Sequence, residues 1–179
     1  MIEKQFAANV FGVVALTRLV LPIMRKQGHG RIIQNSSILG VITLPYYSAY
    51  NASKFALEGF SLTLRQELYN THIRVAIINP GPIESKLRAH SFEHYQQTLD
   101  KNSSLHQNAY QKLEQSYFHP DKKNRALMRG PDIVVKQVIH ALEAPNPKIH
   151  YYIGFPIKLL LFLKCILPER LFDTVLRRV

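Results

Sequence analysis

Apolar positions recur at helical spacing from the start of the chain. Phe6, Val10, Val13, Leu16, Val20 and Met24 mark one face of a helix over residues 2–27, and Gly28 and Gly30 punctuate its end. "RIIQNSS" (31–37) is short and β-branched in its first half, which predicts a strand running into polar residues. "YSAYNASKFALEGFSLTLRQELYN" then returns to helical period, with Ala52, Phe55, Ala56, Gly59, Phe60, Thr63 and Leu64 on or near one face. "IRVAIINPG" (73–81) is a continuous apolar run closed by Pro-Gly, the pattern of a strand covered on both faces of a parallel sheet.

Beyond Pro82 the pattern weakens. Residues 86–130 are polar, rich in Gln, Asn, His and Lys, and read as an insertion lying over a site. "GPDIVVKQVIHALEA" restores a clean helix with Pro131 at its start, and "KIHYYIG" reads as a last short strand, the two filling residues 131–154. The tail, 155–179, holds an apolar segment between Pro156 and Pro168 and then "ERLFDTVLRRV", which predicts two short helices. The alternation of helix and strand predicts a single partial α/β domain with a parallel sheet, its catalytic core in residues 1–85 and its ligands beyond the C-terminal ends of the strands. Asn35, Ser36 and Ser37 follow the first strand, and Pro80, Gly81, Pro82, Ile83, Glu84 and Ser85 follow the second, so parallel strands would open both groups onto one edge.

Composition narrows the class. The 179 residues are 46% apolar, enough for a packed core, and the single cysteine, Cys165, allows no internal disulfide and fits a cytoplasmic setting. The N-terminal stretch lacks the order of a signal peptide, because Glu3 and Lys4 come first and Arg18 interrupts the apolar run. The longest apolar block, Leu159 to Leu163, falls far short of the roughly 20 residues needed to cross a bilayer, so no membrane span is expected. A net charge of +11 attracts phosphates, anionic lipid or nucleic acid, but the basic residues are scattered and form no nucleic-acid motif. A solvated basic surface is the expectation, with contact at a membrane surface left open through the apolar tail. His90 and His94 have helical i, i+4 spacing but no evident third ligand, so no metal is expected.

The candidate chemistry is "YNASK". Nine tyrosines and twelve lysines in 179 residues make a Tyr-x-x-x-Lys pair by chance about 0.6 times, so spacing alone means little. Position gives it weight: Tyr50 and Lys54 open a long helix just after a serine-ended strand, and helical spacing sets them one turn apart on the same side. A phenol titrates near pH 10, too high for proton transfer near neutrality, and an adjacent ammonium lowers that value by about 1 to 3 units. Ser37, at the strand end, can donate a hydrogen bond to the same substrate oxygen. Singly, each residue also has a plainer role: Asn9 as a helix asparagine, Ser37 as a turn cap, Lys54 as a solvated lysine, Pro80 to Pro82 as a strand exit.

Together, "NVFG" (9–12), "GRIIQNSSILG" (30–40), "YNASKFALEG" (50–59) and "NPGPIES" (79–85) resemble the C-terminal portion of a short-chain dehydrogenase/reductase, in order and separation, with 28 positions from Asn9 to Ser37 and 13 from Ser37 to Tyr50. The likeness is strong from Met1 to about Ser85 and looser through "YYIGFPIKLLLFLKCILPERLFDTVLRR", which resembles the tails of hydroxysteroid-dehydrogenase-like members. The resemblance implies a Rossmann-like doubly wound sheet and an NAD- or NADP-dependent interconversion of a carbonyl and a secondary alcohol. It implies Tyr50 as the general acid or base, Lys54 as the group that lowers its pKa and binds the nicotinamide ribose, and Ser37 as the donor that polarises the carbonyl. Asn9 would hold a helix kink and a proton-relay water, while Pro80, Gly81, Ile83 and Ser85, the last in place of the usual threonine, would cradle the carboxamide. A homo-oligomer through the two long helices and a small carbonyl or alcohol substrate are implied as well, and the apolar tail hints at a lipid-like or steroid-like one.

One departure accompanies the match. The family's glycine-rich phosphate loop and its Asn-Asn-Ala-Gly segment are absent, and Gly28-His29-Gly30 ends a helix instead of opening one. The chain is therefore expected to lack the N-terminal nucleotide-binding strands, to expose a long sheet edge, and to bind NAD(P) poorly by itself. A catalytically inactive remnant that serves as a dimerisation or interaction module is the alternative.

Overall fold

The computed structural model describes residues 2–85, 91–93, 95–96, 105–115, 128–154 and 157–177. The chain divides into two compact units, Met1–Gly81 with Asp132–Val179 and, separately, Pro82–Pro131.

In the first unit the long N-terminal helix has three parts: α1 (Ile2–Phe6), a π-helical turn (Ala7–Phe11) and α2 (Gly12–Gln27). Its C-terminus is set by Gly28, at φ 80°, whose N–H caps the Arg25 carbonyl; this left-handed position is one that a Cβ disfavours. Gly30 does not punctuate the helix as the sequence suggested. It lies inside strand β1 (His29–Asn35), where an added Cβ would come within 2.5 Å of the Met24 sulfur, so its role is close approach of strand to helix. After a single 3₁₀ turn (Ile38–Gly40) come α3 (Ser48–Glu67) and β2 (His72–Pro80).

β1 and β2 pair in parallel from His29 opposite His72 to Asn35 opposite Ile78. β3 (His150–Ile153) joins the other side of β2, also parallel, from Ile77 opposite His150 to Pro80 opposite Ile153. The order β1-β2-β3 puts β2 in the centre, which is why Val75–Asn79 is continuously buried and its sequence is almost wholly apolar. α2 and α3 pack on one face through a core of Ile32, Leu64, Leu68, Ile73 and Val75, with Leu21, Met24 and Phe60 against it. Burying each such aliphatic side chain contributes about 1.5–3 kcal/mol. Arg31, which must point to the face opposite Ile32, donates to the Ala144 carbonyl just past helix α4 (Asp132–Glu143). The helices therefore lie on both faces, with the fully buried Ala141 letting α4 approach the sheet. The tail forms α5 (Ile157–Ile166) and α6 (Glu169–Leu176), whose Ile157, Leu160, Phe172 and Leu176 close a second core over Ile38 and Ile42.

The expectation that no segment could span a membrane needs correction. The continuous helix Ile2–Gln27 is 26 residues long with a window mean hydropathy of 1.8, long and apolar enough to cross by length and composition. Judging unbroken apolar blocks missed it because Arg18 interrupts the run without much lowering the average. Here α2 packs against β1 instead, while Phe11, Leu16, Leu19 and Ile23 remain exposed.

In the second unit, Ile83 bridges Arg129 in parallel, with Glu84 N–H donating to the Arg129 carbonyl and Arg129 N–H to the Pro82 carbonyl. A short helix, Gln107–Leu113, also belongs here, and Tyr95 meets Tyr110 edge to face at 6.4 Å. Burial and the nearby Glu114 push the Tyr95 phenol up to about 12. His90 and His94 lie outside the described residues; among those described, no group of three or more metal-ligating side chains occurs.

Candidate active site

The site assembles where β1 and β2 end and α3 begins. Lys54 is buried, and its Nζ donates to the Asn35 carbonyl at 2.8 Å, so the amine is tied to the last residue of β1. The same Nζ stands 5.7 Å from the centre of the Tyr50 ring, one turn earlier on α3. Phenol and ammonium therefore share a side, as their spacing predicted. Burial lowers the Lys54 pKa from 10.5, and the charge of Glu58, a further turn along, offsets part of that.

Asn9 sits inside the π-helical turn, a local irregularity of the kind the sequence reading assigned to it. Its Nδ2 donates to Ser53 Oγ at 3.0 Å, and Ser53 donates in turn to the Tyr50 carbonyl at 2.8 Å. Asn9 thus steadies the first turn of α3. Asn9, Asn35 and Lys54 also border a groove of about 460 Å³ between α2 and β1.

Ser37 is extended and largely buried, and its Oγ accepts from Leu39 N–H at 3.2 Å. The plain role foreseen for it, a turn cap, is real; because that bond uses an oxygen lone pair, the hydroxyl proton remains a donor. The loop to α3 passes through Tyr46 at φ 69°, a left-handed conformation uncommon for a side-chain-bearing residue. Pro80 ends β2, and Gly81 N–H donates to the Ile153 carbonyl at 2.9 Å. A Cβ on Gly81 would meet Ile157 Cδ1 at 2.7 Å, which accounts for glycine there. Ile83 and Ser85 belong to the second unit, Ile83 in its bridge and Ser85 exposed.

Three polar residues that the sequence reading passed over meet beside these groups, Asn79 and Glu58 buried and His150 partly so. Asn79 Nδ2 donates to Glu58 Oε1 at 2.5 Å and to the Ser37 carbonyl at 3.1 Å. Both partners are acceptors, which fixes the amide orientation, so Oδ1 faces His150 Nδ1 at 3.1 Å and that nitrogen carries the proton. A signal for them existed: Glu58 interrupts the apolar face of α3 two turns past Tyr50, and Asn79 ends an otherwise apolar strand.

The short chain dehydrogenase family model matches residues 1–96, more than half of the chain. The chain belongs to that family, a family of oxidoreductases. Over 175 residues it is 35% identical to the uncharacterized oxidoreductase YbbO of Escherichia coli strain K12, covering 98% of this chain and 58% of that protein. It is 33% identical over 188 residues to estradiol 17-beta-dehydrogenase 2 of Mus musculus, covering 98% of this chain and 47% of that one. Among solved structures, the L-sorbose reductase of Gluconobacter frateurii, complexed with NADPH and L-sorbose, superposes with a TM-score of 0.60 at 28% identity, over 83% of this chain and 55% of that one. The chain thus spans about half to three fifths of the length of these relatives.

Proposed function

We propose that this site interconverts a ketone and a secondary alcohol with NAD or NADP. The observation that carries the reading is the buried Lys54 ammonium, tied to the end of β1 and lying beside the Tyr50 ring. The donor set suits a nicotinamide riboside: an ammonium has three N–H donors, and the bond to Asn35 uses one, leaving donors for ribose hydroxyls. The L-sorbose reductase complex with NADPH supports this class of cofactor. Pro80 and Gly81 are proposed to hold the carboxamide. When bound, the nicotinamide supplies or accepts the hydride at the carbonyl carbon.

The protein's part is placement and proton transfer. Ser37 Oγ–H donates to the substrate oxygen, polarising the C=O bond. As the carbon gains hydride, the Tyr50 hydroxyl gives its proton to the same oxygen; in the reverse direction the phenolate takes the proton from the alcohol as hydride leaves. The positive charge of Lys54 favours the phenolate, which brings proton transfer within reach near neutral pH. Asn9 would hold the relay water that returns the proton from solvent toward Lys54. The proposed substrate is a small carbonyl or alcohol; estradiol 17-beta-dehydrogenase 2 supports an apolar, lipid-like one. A cytoplasmic setting fits the single cysteine.

Nicotinamide-linked turnover of a ketone panel tests the reading. In a chain that also carries a nucleotide-binding half, Tyr50→Phe is expected to abolish hydride transfer while cofactor binding stays nearly intact, and normal stopped-flow kinetics in that variant would refute the role.

A second reading, an association module without catalysis, is favoured by one feature: Phe11, Leu16, Leu19 and Ile23 leave an apolar face of the N-terminal helix in solvent. A stable dimer with no nicotinamide-dependent activity would support it.

A further inference from the structure

Asn79 is fully buried, and each of its amide groups is used. One side chain thereby joins three elements. It binds the Ser37 carbonyl beyond β1, Glu58 on the helix that carries Tyr50 and Lys54, and His150 at the start of β3, while its own backbone leads into Pro80-Gly81. Close packing reinforces the link. A Cβ on Gly40, in the turn after Ser37, would lie 2.7 Å from Ser36 Oγ, 2.9 Å from Glu58 Cγ and 3.1 Å from the Lys54 carbonyl, so that turn rests directly on the Lys54–Glu58 segment of α3.

We propose that Asn79, Glu58 and His150 form a positioning cluster that holds Ser37 and Lys54 in register with Tyr50, and that the protonation of His150 is communicated to Lys54 through Glu58. This rests on the reading of Tyr50, Lys54 and Ser37 as the reacting groups. None of the three cluster residues is assigned contact with substrate.

Glu58 has the geometry for such a link. Its Oε1 is bound by Asn79, while its buried Oε2 lies 3.6 Å from His150 Nδ1 and has no hydrogen-bond partner among the described residues. A buried carboxylate oxygen without a donor is costly, and the positive charge that His150 gains when its other ring nitrogen takes a proton, with Nδ1 3.6 Å away, offsets part of that cost. Among the described residues, the charged and titratable groups that interact with Glu58 are Lys54 from α3 and His150 and Tyr152 from β3, while Arg65 from α3 acts on His150 and Cys165 from α5 on Tyr152. Tyr152 stacks on the His150 ring, at 5.2 Å and 3° from parallel, and limits how that ring can turn. Burial lowers the His150 pKa, with Glu58 opposing and Arg65 assisting, so the neutral form bonded to Asn79 is the resting one at neutral pH. On acidification the imidazolium competes with Lys54 for the charge of Glu58.

The test is an NMR titration of the 179-residue chain that follows the Lys54 ammonium nitrogen and the His150 ring. In the wild type, the Lys54 resonance is expected to step at the His150 midpoint, and its passage through that midpoint without a step overturns the proposal. In Glu58→Gln, nearly isosteric and still able to accept from Asn79, the Lys54 midpoint is expected to fall by about one pH unit, because a charge that stabilises the ammonium is gone. An unchanged midpoint in that folded variant overturns the proposal equally. Asn79→Ala is expected to speed amide exchange at Gly40, whose acceptor is the Ser37 carbonyl, by about tenfold. Unchanged exchange there refutes the hold on Ser37, and if either variant fails to fold, the wild-type step decides. No readout needs turnover. Coupling without ketone reduction keeps the cluster and refutes the proposed reaction; ketone reduction without coupling refutes the cluster alone.

Discussion

Lys54 shows how much one side chain's surroundings decide. On a helical wheel it is one of twelve lysines, indistinguishable from a solvated one. In the fold it is buried, bonded to the carbonyl that ends β1 and set beside a phenol. Its partner network also predicts how stability varies with acidity. The folded-state pKa of His150 is lowered from 6.5, by burial first, so between the two values the unfolded chain binds a proton that the folded chain does not. Stability is therefore expected to fall as pH drops below about 6.5 and to level off below the lowered folded value. Urea denaturation at steps from neutral to mildly acid pH measures this, and His150→Gln, which keeps an amide donor for Asn79, should flatten that slope. Lys54 works at the other end of the scale. Its lowered pKa means that stability rises with pH from the folded value toward 10.5, as the cost of a buried ammonium is relieved.

At the scale of elements, the periodic segments were legible and their junctions were not. The helices over 2–27 and 131–144, the central strand and the two tail helices were predicted within a few residues, because amphipathic and continuous-apolar patterns record which faces are covered. β1 begins at His29, two residues before the β-branched run, because Gly30 is needed against Met24 and not as a helix terminator. The 3₁₀ turn after Ser37 was unforeseen, since "ILG" carries no period of its own. Gly40 in that turn offers a direct check. Gly40→Ala places a methyl within 3 Å of Ser36 Oγ and Glu58 Cγ and is expected to cost about 1–3 kcal/mol of unfolding free energy. By contrast, Gly59→Ala, where an added Cβ meets nothing within 4 Å inside α3, is expected to stabilise by about 0.5–1 kcal/mol. Chemical denaturation of both variants separates packing from helix propensity.

For the whole chain, two measurements carry the most weight. Among the described residues the sheet ends at β1 on one side, and the chain spans 58% of YbbO. Calorimetric titration of the 179-residue chain with NADH and NADPH is expected to give weak binding, because no glycine-rich phosphate loop was found in the sequence; micromolar affinity would contradict it. The second concerns association. With Leu19 71% and Ile23 64% exposed on α2, the chain is expected to sediment as a dimer, and Leu19→Glu to shift it toward monomer without loss of helix content. Sedimentation velocity with circular dichroism reads both.

By itself the sequence determined the parallel α/β order, the family, and the placing of Tyr50 and Lys54 on one side of a helix, because periodicity and spacing along a single element are local properties of the chain. Only the tertiary structure decided that Lys54 is buried on the Asn35 carbonyl, that Asn9 holds Ser53, and that Asn79, Glu58 and His150 meet. Those partners lie 19 to 71 residues apart. No local pattern encodes such pairings, because they arise only when strand register and helix docking bring distant polar groups into a core where each must find a donor or acceptor.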